Sequence, residues 1–153
     1  MNVLIDTNIL TRMAQPGHVQ QRPALDASDA LQQAGDVLCL VPQILYEFWV
    51  VATRPAAVNG LGLPVARVAA EVIRLKTIFP LLSDTPSIFG EWERLVTAHQ
   101  VVGKHAHDAR IVAAMTVHGI THLLTFNKQD FSRYSGITSL DPVAIAPPAA
   151  PNP

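Results

Sequence analysis

Residues 2–8, Asn-Val-Leu-Ile-Asp-Thr-Asn, decide how the chain is to be read. A short apolar run ends at Asp6, and Thr7-Asn8 suits the start of a helix. An apolar run this short, without polar alternation, fits a strand covered on both faces. Working outward, the pattern recurs. Val37 to Val41 is a second such run, and Pro42 follows it where proline can open a helix. His122 to Phe126 is a third, Ile137 to Leu140 a weaker fourth, and Ile78 to Leu82 reads as a further short strand. Helical stretches lie between them. Asp26 to Ala34 ends at Gly35. In Gln43 to Arg54, the residues Ile44, Leu45, Phe48, Trp49 and Ala52 share one face, and Pro55 stops the helix. Val65 to Thr77, Ser87 to His99 and Lys104 to His118 follow, the last capped by Gly119. Asn59 to Pro64 is rich in turn residues and reads as a loop. Strands alternating with helices predict an α/β domain with a mainly parallel sheet.

The length, 153 residues, suits one domain. The last twelve residues hold five prolines, at 142, 147, 148, 151 and 153. The expected division is therefore a folded body over 1–141 and an extended tail over 142–153. Hydrophobic residues make up 49% and charged residues 15%, which excludes a disordered chain. The formal net charge of −1 leaves no basic footprint of the kind nucleic-acid-binding chains carry. Any nucleic acid would have to be held by a local patch, a metal or a partner's charge. Cys39, the only cysteine, lies in an apolar run and reads as core. No leader-like pattern opens the chain, and no apolar run reaches the ~20 residues of a spanning helix. The expected location is the cytoplasm, with no membrane partner.

With so little charge to spare, acids on apolar faces need explaining. Asp6 ends the first strand, where α/β sheets bind ligands, although aspartate there also serves as an ordinary helix cap. Glu47 borders the buried stripe of its helix, sharing an edge with Ile44, Val51 and Arg54; an ion pair with Arg54, or plain solvent exposure at that edge, is the plainer reading. Asp108 continues the apolar face of Ile111, Val112 and Met115 into the first helical turn. The helix dipole accounts for an acid in that turn but not for its inward face. Asn127 and Asp130 follow the third strand, where turn chemistry alone also explains them. Together these acids imply carboxylates gathered at one end of a sheet. Such a cluster repels itself unless a cation sits among it, and hard oxygen donors suit Mg²⁺, with Mn²⁺ as the alternative. One or two such ions can drive phosphodiester cleavage.

At these residues the chain resembles the PIN-domain family. Asp6-Thr7-Asn8 after an N-terminal strand looks like the family's opening motif. Tyr46-Glu47-Phe48 looks like its second motif, and His107-Asp108-Ala109-Arg110-Ile111-Val112-Ala113 like its third. Leu124 to Phe131 looks like its fourth. The resemblance spans residues 1–141 and is nearest to the VapC-type toxins of toxin–antitoxin pairs. It implies a three-layer α/β/α sandwich and a metal-dependent endoribonuclease. It implies Asp6 and Asp108 as metal ligands, Glu47 as a further catalytic acid, and Thr7, Asn8 and Thr125 as residues that orient or line the site. Many relatives carry an aspartate where this chain has Asn127, so Asn127 or Asp130 supplies the fourth group. The implied partners are an RNA substrate, a cognate antitoxin and a second copy of the chain.

Other readings carry less. A zinc site lacks both a cysteine set and a His-Glu-x-x-His helix. An aspartyl phosphotransferase would have an acid in place of Asn8. Arg110 stands two residues from Asp108 and is a candidate phosphate contact, or simply an acid's partner. Lys104, Lys128 and Arg133 are weaker candidates of the same kind. The rival from another class is a non-catalytic PIN-like module that binds RNA or protein without cutting.

Overall fold

The computed structural model describes residues 1–145 and 147. Strand β1 (Asn2–Ile5) is followed by helices α1 (Thr7–Met13) and α2 (Gln21–Gln33), then β2 (Val37–Cys39). Helices α3 (Pro42–Thr53), α4 (Val65–Ile78), α5 (Pro86–Ala98) and α6 (His105–Val117) follow, then β3 (His122–Leu124) and β4 (Thr138–Leu140). The sheet order is β2-β1-β3-β4, and every pairing is parallel. Val3, Leu4 and Ile5 are all fully buried. Successive side chains of a strand face opposite ways, so both faces of β1 are covered. The fold is thus the expected α/β/α sandwich. Helix α1 packs on α2 and α3, and α5 packs on α6.

The connections place one crevice. The chain leaves β1 towards β2, then crosses back to β3 on the other side of β1. That reversal is a topological switch point, and it opens at the carboxyl ends of β1 and β3. Two glycines end helices as the sequence predicts. Gly35 (φ 89°) and Gly119 (φ 68°) adopt the left-handed conformation after α2 and α6.

Several boundaries differ from the sequence reading. The run Ile78 to Leu82 forms no strand. Ile78 ends α4, and only Leu81 makes a single parallel bridge, to Leu40. Pro80 has no N–H to extend a ladder there. Helix α2 starts before Asp26, at Gln21, with Pro23 in the first turn, where an N–H has no intrahelical partner to lose. The packed body also runs past 141. Pro142–Ala144 form a 3-10 turn in contact with α2, Pro142 is buried, and Ile145 packs on the core. Asp141 caps that turn by accepting from the Val143 N–H at 3.0 Å. The rest of the expected tail, 146 and 148–153, lies outside the described residues. No helix among the described residues is long and apolar enough to cross a membrane.

Since the site hangs from β1, its core side chains set stability. Leu4→Ala is expected to cost about 2–5 kcal/mol, read as a lower urea midpoint at unchanged slope. Val102, 78% exposed, supplies the contrast: Val102→Ala is expected to move stability by less than about 0.5 kcal/mol.

Candidate active site

Asp6 stands at the end of β1 with only 6% of its surface exposed. Its backbone still belongs to the sheet, the N–H donating to the Leu124 carbonyl at 3.0 Å. Its carboxylate caps α1, accepting from the Thr7 N–H at 2.7 Å. The other oxygen accepts from the Thr125 hydroxyl at 2.6 Å and the Asn8 amide at 3.1 Å. Cap and candidate site residue are therefore one and the same group. Asn8 also clasps the end of β3: its amide donates to Thr125 Oγ1 at 3.1 Å and its carbonyl accepts from the Phe126 N–H at 3.2 Å.

Glu47 reaches the same place from α3. The Thr7 hydroxyl donates to one of its oxygens at 2.7 Å, and Gln43 donates to the other at 2.9 Å. No ion pair with Arg54 forms. Gln43 is buried, and its amide also donates to the His107 carbonyl at 2.9 Å, fastening α3 to the start of α6. Asp108, in the first turn of α6, lies 3.3 Å from the His105 ring. Asp130 enters from the 3-10 turn Lys128–Phe131 after β3.

These acids share one cleft of about 630 Å³, lined by Asp6, Thr7, Asn8, Glu47, Asp108, Asn127 and Asp130. Thr125 is fully buried beneath Asp6. Arg110 is held elsewhere: it donates to Gln43 at 3.1 Å and pairs with Asp84 at 3.1 Å. It supports Glu47 through Gln43 and does not line the cleft. Lys104, Lys128 and Arg133 do not line it either. The sequence reading missed Gln43, although its i,i+4 spacing to Glu47 on one helix edge carried the signal. It also missed Arg12 and His18, which line the cleft, and treated Arg54 only as a partner for Glu47.

The electrostatics follow from the crowding. Burial pushes the Asp6 carboxyl up to about 6, with Glu47 and Asp108 adding repulsion, against the lowering pull of Thr125 and Thr7. Asp108 is raised as well, by burial first and then by Asp130 and Glu47, against the pull of His105. Among the described residues, no three acids, histidines or cysteines converge tightly enough to ligate one ion by themselves. The donor set is all oxygen, and it fits a cation that keeps its waters. Mg²⁺ does so, commonly taking one or two carboxylates alongside water and phosphate oxygens.

A model of the PIN domain matches residues 3–137. The chain belongs to the PIN domain family. No curated protein matches it by sequence. Solved structures share the PIN fold. VapBC2 from Rickettsia felis, bound to a promoter DNA fragment, has a TM-score of 0.70 at 12% identity, covering 92% of this chain and 100% of that one. VapBC-1 from nontypeable Haemophilus influenzae has 0.69 at 15%, covering 94% and 99%. The sarcin–ricin-loop-cleaving toxin VapC20 of Mycobacterium tuberculosis has 0.56 at 23%, covering 79% and 86%.

The raised acids of this PIN domain make stability depend on pH. Unfolded, Asp6 titrates near 3.8; folded, near 6. Between those values the folded protein holds more protons, so its stability falls as pH rises through that window. Asp108 acts in the same direction. Asp6→Asn removes the Asp6 share. Measured in EDTA, the stability of the variant relative to wild type is expected to rise from about pH 4 to about pH 7, by on the order of 3 kcal/mol at most. A difference that ignores pH would show that the Asp6 carboxyl is not strained.

Proposed function

We propose that this PIN domain is a metal-dependent endoribonuclease and the toxin of a toxin–antitoxin pair. One observation carries the reading: Asp6, Glu47, Asp108 and Asp130 line a single cleft at the switch point of a parallel sheet. In that cleft Asp6 and Asp108 would hold Mg²⁺, or Mn²⁺ in its place. When bound, the cation supplies charge neutralisation at phosphoryl oxygens and a lower pKa for a coordinated water.

The chain's own residues set up the rest. Thr125, Asn8 and the Thr7 N–H fix Asp6 in one orientation, so no reorganisation is needed when a cation or substrate arrives. Thr7 and Gln43 hold both oxygens of Glu47, aiming it across the cleft. Asp130 supplies the fourth carboxylate, and Asn127, exposed on the rim, supplies an amide beside it.

The solved toxin–antitoxin complexes of the same fold support an antitoxin as partner. So does an apolar hollow on α3 and α4, lined by Leu45, Tyr46, Trp49, Val72 and Leu81, with Tyr46 62% exposed. A homodimer and a cytoplasmic location complete the proposal. The rival, a PIN module that binds without cutting, draws only on the amide at Asn127.

The deciding experiment incubates the purified, antitoxin-free chain with a mixed RNA pool. Cleavage is expected with Mg²⁺ or Mn²⁺, and none with EDTA. Asp6→Asn and Asp108→Asn are each expected to abolish cutting while circular dichroism stays that of the folded protein. A wild type that binds RNA and never cuts it would establish the binding module instead.

A further inference from the structure

We infer that Arg12 and Arg54 form a phosphate-binding subsite beside the acids, holding the sugar–phosphate backbone of a single-stranded RNA. The inference rests on the nuclease reading and adds to it where the strand lies.

Of the chain's eight arginines, Arg67 and Arg133 are exposed, outside the cleft and without a carboxylate partner among the described residues, and the other six divide into two groups. Arg22, Arg74, Arg94 and Arg110 each pair with a carboxylate, those of Asp26, Glu71, Glu91 and Asp84. Arg12 and Arg54 have no carboxylate partner among the described residues, yet both line the cleft that holds the four acids. Neutral groups hold them instead. Arg12 Nε donates to Gln20 at 2.9 Å and one terminal nitrogen to Gln15 at 2.8 Å. Two amides thus fix the guanidinium without cancelling its charge, and its second terminal nitrogen makes no hydrogen bond among the described residues. Arg54 donates to the Asn59 carbonyl at 2.9 Å, while its Nε is buried without a partner among the described residues. The following loop is built onto the Arg54 backbone: the Gly62 N–H donates to its carbonyl at 2.8 Å. A Cβ at Gly60 would stand 1.8 Å from that oxygen, so only glycine allows the approach.

Helix geometry sets these cations at a fixed offset from the acids. On α1, Arg12 follows Asn8 by four residues, one turn and about 6 Å along the axis. On α3, Arg54 caps the helix seven residues after Glu47, two turns along the same edge and about 10 Å away. Helices α1 and α3 pack together, so the cleft has an acidic end at the sheet and a basic end one to two turns beyond. A strand whose scissile phosphate lies at the acids would carry its neighbouring phosphates past the arginines. A guanidinium fork matches phosphate oxygens. Such contacts position a strand without reading its sequence.

The test uses the full chain carrying Asp6→Asn, with Mg²⁺ present, and a fluorescently labelled single-stranded RNA oligonucleotide followed by anisotropy. Adding Arg12→Gln or Arg54→Gln is expected to weaken binding about tenfold each. Each is also expected to shallow the slope of log affinity against log salt by about 0.7, the increment that one neutralised phosphate contributes. Arg22→Gln, which removes the same charge from α2, is expected to change neither. Should Arg54→Gln fail to fold by circular dichroism, Arg54→Lys keeps the charge and is expected to keep the slope, and Arg12→Gln then decides. Arginine variants that match Arg22→Gln in affinity and slope overturn the subsite. If the chain with Asp6 intact still cuts RNA in that case, the nuclease reading stands. No binding and no cutting by wild type overturns both.

Discussion

Burying a carboxylate next to two others is costly, and Asp6 is buried where β1 ends. Desolvation and the charges of Glu47 and Asp108 oppose its ionised form. The backbone N–H of Thr7, the hydroxyl of Thr125 and the amide of Asn8 offset part of that cost. These three donors come from the start of α1 and the end of β3. The same bonds that hold the charge therefore also lock helix, strand and neighbouring strand at one corner. The remaining strain is what a divalent cation would relieve, so the folded protein is prepared for a ligand at the expense of its own stability.

The other acids arrive by the logic of the parallel sheet. Parallel strands send every chain exit to the same edge, so α1 and α3 begin there, as does the turn that follows β3. α6 begins at that edge because Gln43 fastens it to α3 through the His107 carbonyl. Gln43 also holds Glu47 and accepts from Arg110, which is anchored in turn by Asp84. One buried amide thus joins two acid-bearing helices. Removing it would leave polar groups on both without partners, a larger penalty than the loss of any one bond.

Much of this was legible in the sequence. The apolar runs before Asp6 and Pro42 placed β1 and β2, and the left-handed glycines at 35 and 119 placed two helix ends. Strand ends were read too long because an apolar residue past the sheet edge, such as Val41 or Phe126, looks no different from one inside it. The run at 78–82 misled for the same reason, with Pro80 the overlooked breaker. In the site, Glu47 and Asp108 were legible as acids on or beside faces that should be apolar, Asp6 as an acid at a strand's carboxyl end, and Asp130 only as one of two candidates in the turn after the third strand. Arg110 was not placed correctly by its nearness to Asp108 in sequence. Two residues apart on a helix means nearly opposite sides, and Arg110 turns to Asp84. What periodicity cannot give is the partner a long side chain chooses, and Arg54 illustrates it: the helix wheel permits a pair with Glu47 that Thr7 and Gln43 take up instead.

That choice of partners also answers the question posed by composition. A chain of net charge −1 has no surplus of cations with which to attract a polyanion. Charge can still be sorted within a neutral total. Four arginines are matched with acids outside the cleft, while inside it hydroxyls and amides occupy Asp6 and Glu47 and amides and carbonyls occupy Arg12 and Arg54. Had Glu47 and Arg54 paired, both ends of the cleft would have been silenced at once. Neutral hydrogen-bonding partners keep the opposite charges apart and available, and so allow one cleft to offer an acidic pole to a cation and a basic pole to an anion.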